Sequence, residues 1–197
     1  MSYFFWESGR WFSGALCRRY LVVRFDTLRV PTRHQESIAD VQWHWAIGLF
    51  TDGQFEVLGA WRDEGAATPR RIATDLHHRG VERIKALAGA DGLTAAMGCF
   101  RPQACRRSTA ELTEASALGP RMRQAVHWTD TAAQRLQDRM QRVVRNHGPF
   151  DDDAAAADVI AQAFQRTDRD LLHDRWDRKH PAPYGQGAFV ASLAAAA

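Results

Sequence analysis

Tyr20-Leu-Val-Val-Arg-Phe-Asp-Thr-Leu-Arg-Val30 is an apolar run rich in β-branched residues, closed by Pro31. It reads as a strand in the middle of a sheet. One carboxylate, Asp26, sits inside it. A lone charge in a central strand is costly unless it is paired or holds a metal. The plain alternative is an edge strand with Asp26 turned to water. The rest of the chain favours the central strand, because it supplies groups that can be brought to Asp26.

Working outward, residues 1–19 form a partial lead-in with Trp6, Trp11 and Phe12. After the polar turn 31–40, Val41 to Phe50 alternates well enough for a second strand. Asp52-Gly53 accepts the positive φ of a tight hairpin, and Phe55 to Trp61 returns antiparallel. Thr68-Pro69 is a helix start, a capping hydroxyl followed by proline at the first helical position, and Gly80 ends that helix. Val81 to Ala88 then gives a fourth strand beside the first, with Asp91-Gly92 at its C-terminal end, where α/β sheets place functional groups. The predicted class is therefore α/β: a mixed sheet built from a β-hairpin and a strand–helix–strand crossover.

Residues 93–128 show no clean period and are broken by Gly98, Pro102, Gly119 and Pro120, with room for one short helix at 108–117. Thr129 or Asp130 is expected to cap a helix over 131–146, with Ala133, Leu136, Met140, Val143 and Val144 inward and Gly148-Pro149 as its stop. Asp151–Asp153 caps a second helix, with Val159, Ile160 and Phe164 inward. From Asp174 the composition turns charged, then rich in Pro and Gly, and residues 173–197 read as a disordered tail.

At 197 residues the chain is long enough for one domain with its own core. The formal charge is +3, unevenly spread: from Arg101 to Phe150 there are nine arginines against four acids. Arginine suits bidentate phosphate contact, although a GC-rich genome raises its frequency too. Three cysteines without a Cys-x-x-Cys pair suggest reduced thiols and a cytoplasmic setting. No run long enough for a membrane span occurs, and the aromatic N-terminus is too short for a signal sequence.

Asp26 and Asp91, brought side by side by the crossover, could hold one or two Mg²⁺ ions over a phosphodiester, though on spacing alone turn and surface acids account for them better. Other sets are weaker. His77-His78 reads as solvent-facing, His44 as a packed strand residue, and Trp43, Trp45 and Trp61 as core rather than base-stacking platforms.

The segments Tyr20 to Pro31, Ala46-Ile-Gly48, Glu56-Val-Leu-Gly-Ala-Trp61, Glu64-Gly65, Asp75-Leu76, Arg79-Gly80-Val81 and Asp91-Gly92-Leu93 together resemble Mutator-type transposases of bacterial insertion sequences. Thr131 to Leu136 and Arg145 to Phe150 extend the resemblance over 120–172. It implies an RNase H-like DDE nuclease core over 20–172 with a shortened 93–128 connection, Mg²⁺-dependent strand cleavage and transfer, and DNA transposon ends as partner. Asp26 and Asp91 match the first two acids of the triad and would be its metal ligands. The third position matches Gln134, an amide and a poor Mg²⁺ ligand. Asp130 and Asp138 lie one helical turn either side and could substitute; Glu111 and Glu114 are more remote.

Two further departures accompany Gln134. Only about forty residues separate Asp91 from Gln134, where the family carries a large helical insertion with a Cys-x-x-His pair; Cys105 and His127 are too far apart to be that pair. The chain also starts almost at the first strand, without the family's N-terminal DNA-binding region. The expectation is an internally deleted, N-terminally truncated copy with impaired catalysis. The alternatives are a DNA-binding fragment using Arg135, Arg139, Arg142 and Arg145, which would interfere with full-length transposase or form a homodimer, and a remnant that folds poorly and exposes apolar surface.

Overall fold

β-Branched and aromatic residues along the opening stretch fold into β1 (Arg19–His34). In the computed structural model, which describes residues 14–34, 37–89 and 93–173, β1 lies at the centre of a five-stranded sheet. The lead-in up to residue 13, Asp91 and the tail beyond 173 lie outside the described residues. β1 runs past Pro31, contrary to the expected stop. Phe150 N–H donates to the Pro31 carbonyl and Arg33 N–H to the Phe150 carbonyl, so this part of β1 turns its odd-numbered backbone groups away from β2 (Ser37–Leu49). Pro31 therefore removes a donor that the β1–β2 ladder does not need.

β2 pairs antiparallel with β1 in an unbroken register from Val22↔Leu49 to His34↔Ser37. β3 (Phe55–Arg62) pairs antiparallel with β2 across the expected turn, where Gly53 has φ +88° and Asp52 accepts a hydrogen bond from Gln54 N–H. The crossover helix α1 (Thr68–His78) leads to β4 (Arg83–Ala88), parallel to β1 from Arg19↔Arg83 to Arg24↔Ala88. Thr68 is the first helical residue rather than the cap. Its hydroxyl donates to Asp63 and accepts from Glu64 N–H, tying the preceding loop instead.

The unreadable region contains α2 (Leu93–Ala96), a 3₁₀ turn, β5 (Ala104–Arg106) and α3 (Thr109–Glu114). β5 adds a fifth, parallel strand, giving the order β3-β2-β1-β4-β5. The later helices are α4 (Pro120–His147) and α5 (Asp153–His173). α4 begins eleven residues earlier than expected: Pro120 starts it, and Thr129 and Asp130 lie inside it. Asp152, from the expected capping cluster, accepts from Ala155 N–H at 2.7 Å.

The sheet is covered on both faces. Val22, Leu28, Val30, Trp45 and Ile47 face a core shared with α4 and α5, which supply Leu136, Met140, Ile160 and Phe164. Val23, Phe25, Ala46 and Leu58 face the opposite core, with Ile72 and Leu76 of α1 and Met97 and Phe100 beyond α2. Residues 93–118 pack on both sides, and among the described residues Ile38 is the exposed large hydrophobic side chain. Nor does any described helix have the length and apolarity to cross a membrane.

His44 on β2 is buried, as the flanking tryptophans suggest, with Nε2 3.8 Å from Asp63. Burial holds its pKa below the usual imidazole value; Asp63 opposes this and Arg71 reinforces it. The unfolded chain takes up this proton near pH 6.5, and the folded chain only at lower pH. The stability tied to His44 is therefore complete above about pH 6.5 and lost as the pH falls. Calorimetric melting between about pH 7.5 and 5 should show the midpoint dropping below about 6.5. His44→Gln should flatten that drop; an unchanged profile would rule this source out.

Candidate catalytic face

The two-residue period of a strand places Arg24 and Asp26 on the same face of β1, between Val22 and Leu28, toward α4. Both side chains are largely buried, and so is that of Asp130 on α4. Arg24 Nη2 donates to Asp26 Oδ2 at 2.7 Å, while Arg24 Nη1 donates to Asp130 Oδ1 and, at 3.2 Å, to the Asp130 carbonyl. One guanidinium thus bridges two carboxylates that lie 104 residues apart in the chain. Asp130 Oδ1 also accepts from the Thr109 hydroxyl of α3 at 2.6 Å, and Asp130 Oδ2 from Gln134 Nε2 at 3.3 Å. Asp26 Oδ1 accepts from Thr27 N–H at 2.8 Å.

Thr27 explains why these side chains gather here. Along a strand, alternate residues direct their N–H and C=O to opposite edges, so Thr27 shares the edge that Pro31 and Arg33 present to Phe150. β4 pairs with that edge only as far as Arg24, and Phe150 takes it up again at Thr32. In the interval the Thr27 N–H goes to Asp26, and the Thr27 carbonyl accepts from Gln137 Nε2 of α4 at 2.9 Å. Gln137 Oε1 in turn accepts from the buried Trp45 indole N–H at 2.9 Å. Side chains stand in for the strand that is missing at this point.

Of the residues expected at the site, Asp26 is on this face, and Gln134 joins it through Asp130. Asp91 lies outside the described residues; β4 ends at Ala88, level with Arg24. Asp138 is exposed, as are Glu111 and Glu114 on α3. Arg135, Arg142 and Arg145 are exposed along α4, and Arg139 is half-buried. His77 and His78 are exposed at the end of α1. Arg24, Thr109 and Gln137 were not expected. The period-two neighbour of Asp26 was the available signal for Arg24; nothing local marks the other two.

Magnesium takes oxygen ligands in a near-octahedral set. Here each oxygen of the Asp26 and Asp130 carboxylates already accepts a donor, and a guanidinium lies between them. No group of three or more His, Cys, Asp or Glu among the described residues converges on a cation-sized gap. As placed, these residues do not fit a divalent ion.

Gln137→Leu should leave the Trp45 indole N–H and the Thr27 carbonyl unpaired and lower the stability by about 2 kcal/mol or more. Gln137→Glu keeps the acceptor for Trp45 but sets a carboxylate oxygen against the Thr27 carbonyl, so it too should destabilise the fold. Urea unfolding of the two variants checks both losses.

Residues 7–110, with β1 to β5, match the family model described as "Transposase, Mutator family". Over 87 residues the chain is 33% identical to "Transposase for insertion sequence element ISRM3" of Rhizobium meliloti (strain 1021). It is equally similar to "Probable transposase for insertion sequence element ISRM3-like" of Sinorhizobium fredii (strain NBRC 101917 / NGR234). Each alignment covers 43% of this chain and 22% of the relative, so the matched stretch is about a fifth of either transposase. With more than half of its residues under the family model, the chain belongs to the Mutator family of transposases.

Proposed function

We propose that this chain is a transposase-related protein of an insertion sequence, with an RNase H-like core over residues 20–172 whose strand-cleaving chemistry is impaired. The observation that carries the reading is Gln134. At the position that the family resemblance gives to the third acid, α4 carries a neutral amide, which donates to Asp130 instead of offering a charged oxygen. Two-metal phosphodiester chemistry depends on anionic ligands to hold and align the ions. In an intact relative Asp26 and Asp91 would be two of those ligands and Mg²⁺ the ion. Here Asp26 is engaged by Arg24 and by its neighbour's backbone. A cytoplasmic location accords with this reading.

Purified protein incubated with supercoiled plasmid and Mg²⁺ or Mn²⁺ should produce no nicking above the protein-free control. Robust nicking that disappears in Asp26→Asn would overturn the impaired reading. Nicking that appears only after Gln134→Glu would locate the defect at that amide.

A second reading is favoured by the arginines of α4. Arg135, Arg142 and Arg145 are exposed on one helix beside the sheet, and Arg139 is half-buried among them. This suits duplex phosphates and a role in competing with full-length transposase at transposon ends, alone or as a homodimer. Binding of this kind weakens with salt as counterions are displaced. Fluorescence anisotropy with a DNA duplex should show affinity falling with salt. Neutralising Arg139 and Arg142 should shrink the salt slope by about one for each lost phosphate contact. Absence of binding at low salt would remove this reading.

A further inference from the structure

We propose that Arg24 is a built-in cation. Its guanidinium takes the place between Asp26 and Asp130 that a divalent ion would need, locks α4 to β1 and keeps metal out. The proposal rests on reading this face as the former catalytic face, and it concerns a residue that the triad itself does not include.

The geometry separates this bridge from an ordinary surface ion pair. Exposed pairs contribute little because water screens them and long side chains resist ordering. Here the three charged side chains are only 16%, 27% and 24% exposed for Arg24, Asp26 and Asp130. Each nitrogen of the fork serves a different carboxylate, and Nη1 also reaches a helix carbonyl. The planar fork holds its donors at fixed positions, which lysine cannot imitate with a single ammonium. The Thr109 hydroxyl and the Gln134 amide complete the shell around Asp130, so α3, α4 and β1 meet at one charge cluster.

Two carboxylates and one guanidinium leave one net negative charge in a partly desolvated place. Removing the guanidinium would leave two like charges facing each other. Such a pair is relieved by a proton or by a divalent cation, and hard oxygen ligands favour Mg²⁺ or Mn²⁺. The same cluster would then pass from salt bridge to metal site by loss of one side chain's charge.

Mn²⁺ binding, read by electron paramagnetic resonance without DNA, tests this. Wild-type protein should bind no Mn²⁺ at a defined site up to about 1 mM, the range of weak protein sites. Arg24→Met, which keeps much of the stem but not the charge, should bind one ion per chain. Arg24→Met with Asp26→Asn should lose it, and Arg24→Lys should remain metal-free. Circular dichroism melting shows whether each variant is folded. A folded Arg24→Met that binds no Mn²⁺ would overturn the proposal, and so would a wild-type site abolished by Asp26→Asn. The second outcome needs no charge-removing variant at Arg24 and stands if Arg24→Met fails to fold. A metal-free Arg24→Met together with a wild type that does not nick plasmid would reject the lock while leaving the impaired-transposase reading in place.

Discussion

Few residues in this chain are as constrained as those of β1, which is buried on both faces and paired on both edges for part of its length. A strand in that position must be apolar wherever it meets a core, and its backbone groups must all find partners. Arg24 and Asp26 break the first rule on one face only. They do so at the point where the second rule is hardest to satisfy, because β4 has ended and Phe150 has not yet arrived. Asp26 answers the neighbouring Thr27 amide, Gln137 answers its carbonyl, and Arg24 balances the charge that Asp26 brings. The polar cluster therefore follows from an interruption in pairing rather than from a cavity.

The rest of the architecture keeps this interruption in place. α4 is long enough to bury Met122, Leu136 and Met140 against the sheet while presenting Asp130 and Gln137 to β1. α1 and the segment after α2 close the other face with Ile72, Leu76, Met97 and Phe100. Gly48 lets Tyr20 lie over β2: a Cβ there would sit 2.5 Å from the Tyr20 ring. Tyr20 donates to Glu56 across the sheet, and desolvation with that hydrogen bond pushes its phenol pKa well upward. This pair lies on the face away from Arg24 and Asp26 and is satisfied within the sheet, between β1 and β3.

Much of this was legible in the residues themselves. The β-branched run, the Asp52-Gly53 turn and the Thr68-Pro69 start gave the first four strands, the β2–β3 hairpin and the crossover that sets β4 beside β1; the long antiparallel pairing of β1 with β2 was not read. The start of the long helix was obscured because Gly119-Pro120 is equally a break and a beginning, and proline at the first helical turn is the latter. Thr129 and Asp130 looked like caps because capping residues and mid-helix polar residues share the same chemistry. Only the tertiary partner decides: Thr129 bonds back to the Ala125 carbonyl, and Asp130 is drawn to Arg24. β5 is three residues long and has no period to detect. The amide at Gln134 was visible at once, but its attachment to Asp130 rather than to Asp26 is a matter of three dimensions.

The bridge between Thr32 and Phe150 has a bearing on how the chain acquires its shape. The central strand is synthesised well over a hundred residues before its last edge partner. Until then the part of that border beyond Arg24, which β4 does not reach, remains unpaired. Folds dominated by such distant pairings pay the loop-closure entropy before they collect the contact energy, and they assemble slowly. A nascent chain of this kind passes through a stage with an unpaired stretch of sheet edge, where completing the edge competes with pairing to another chain.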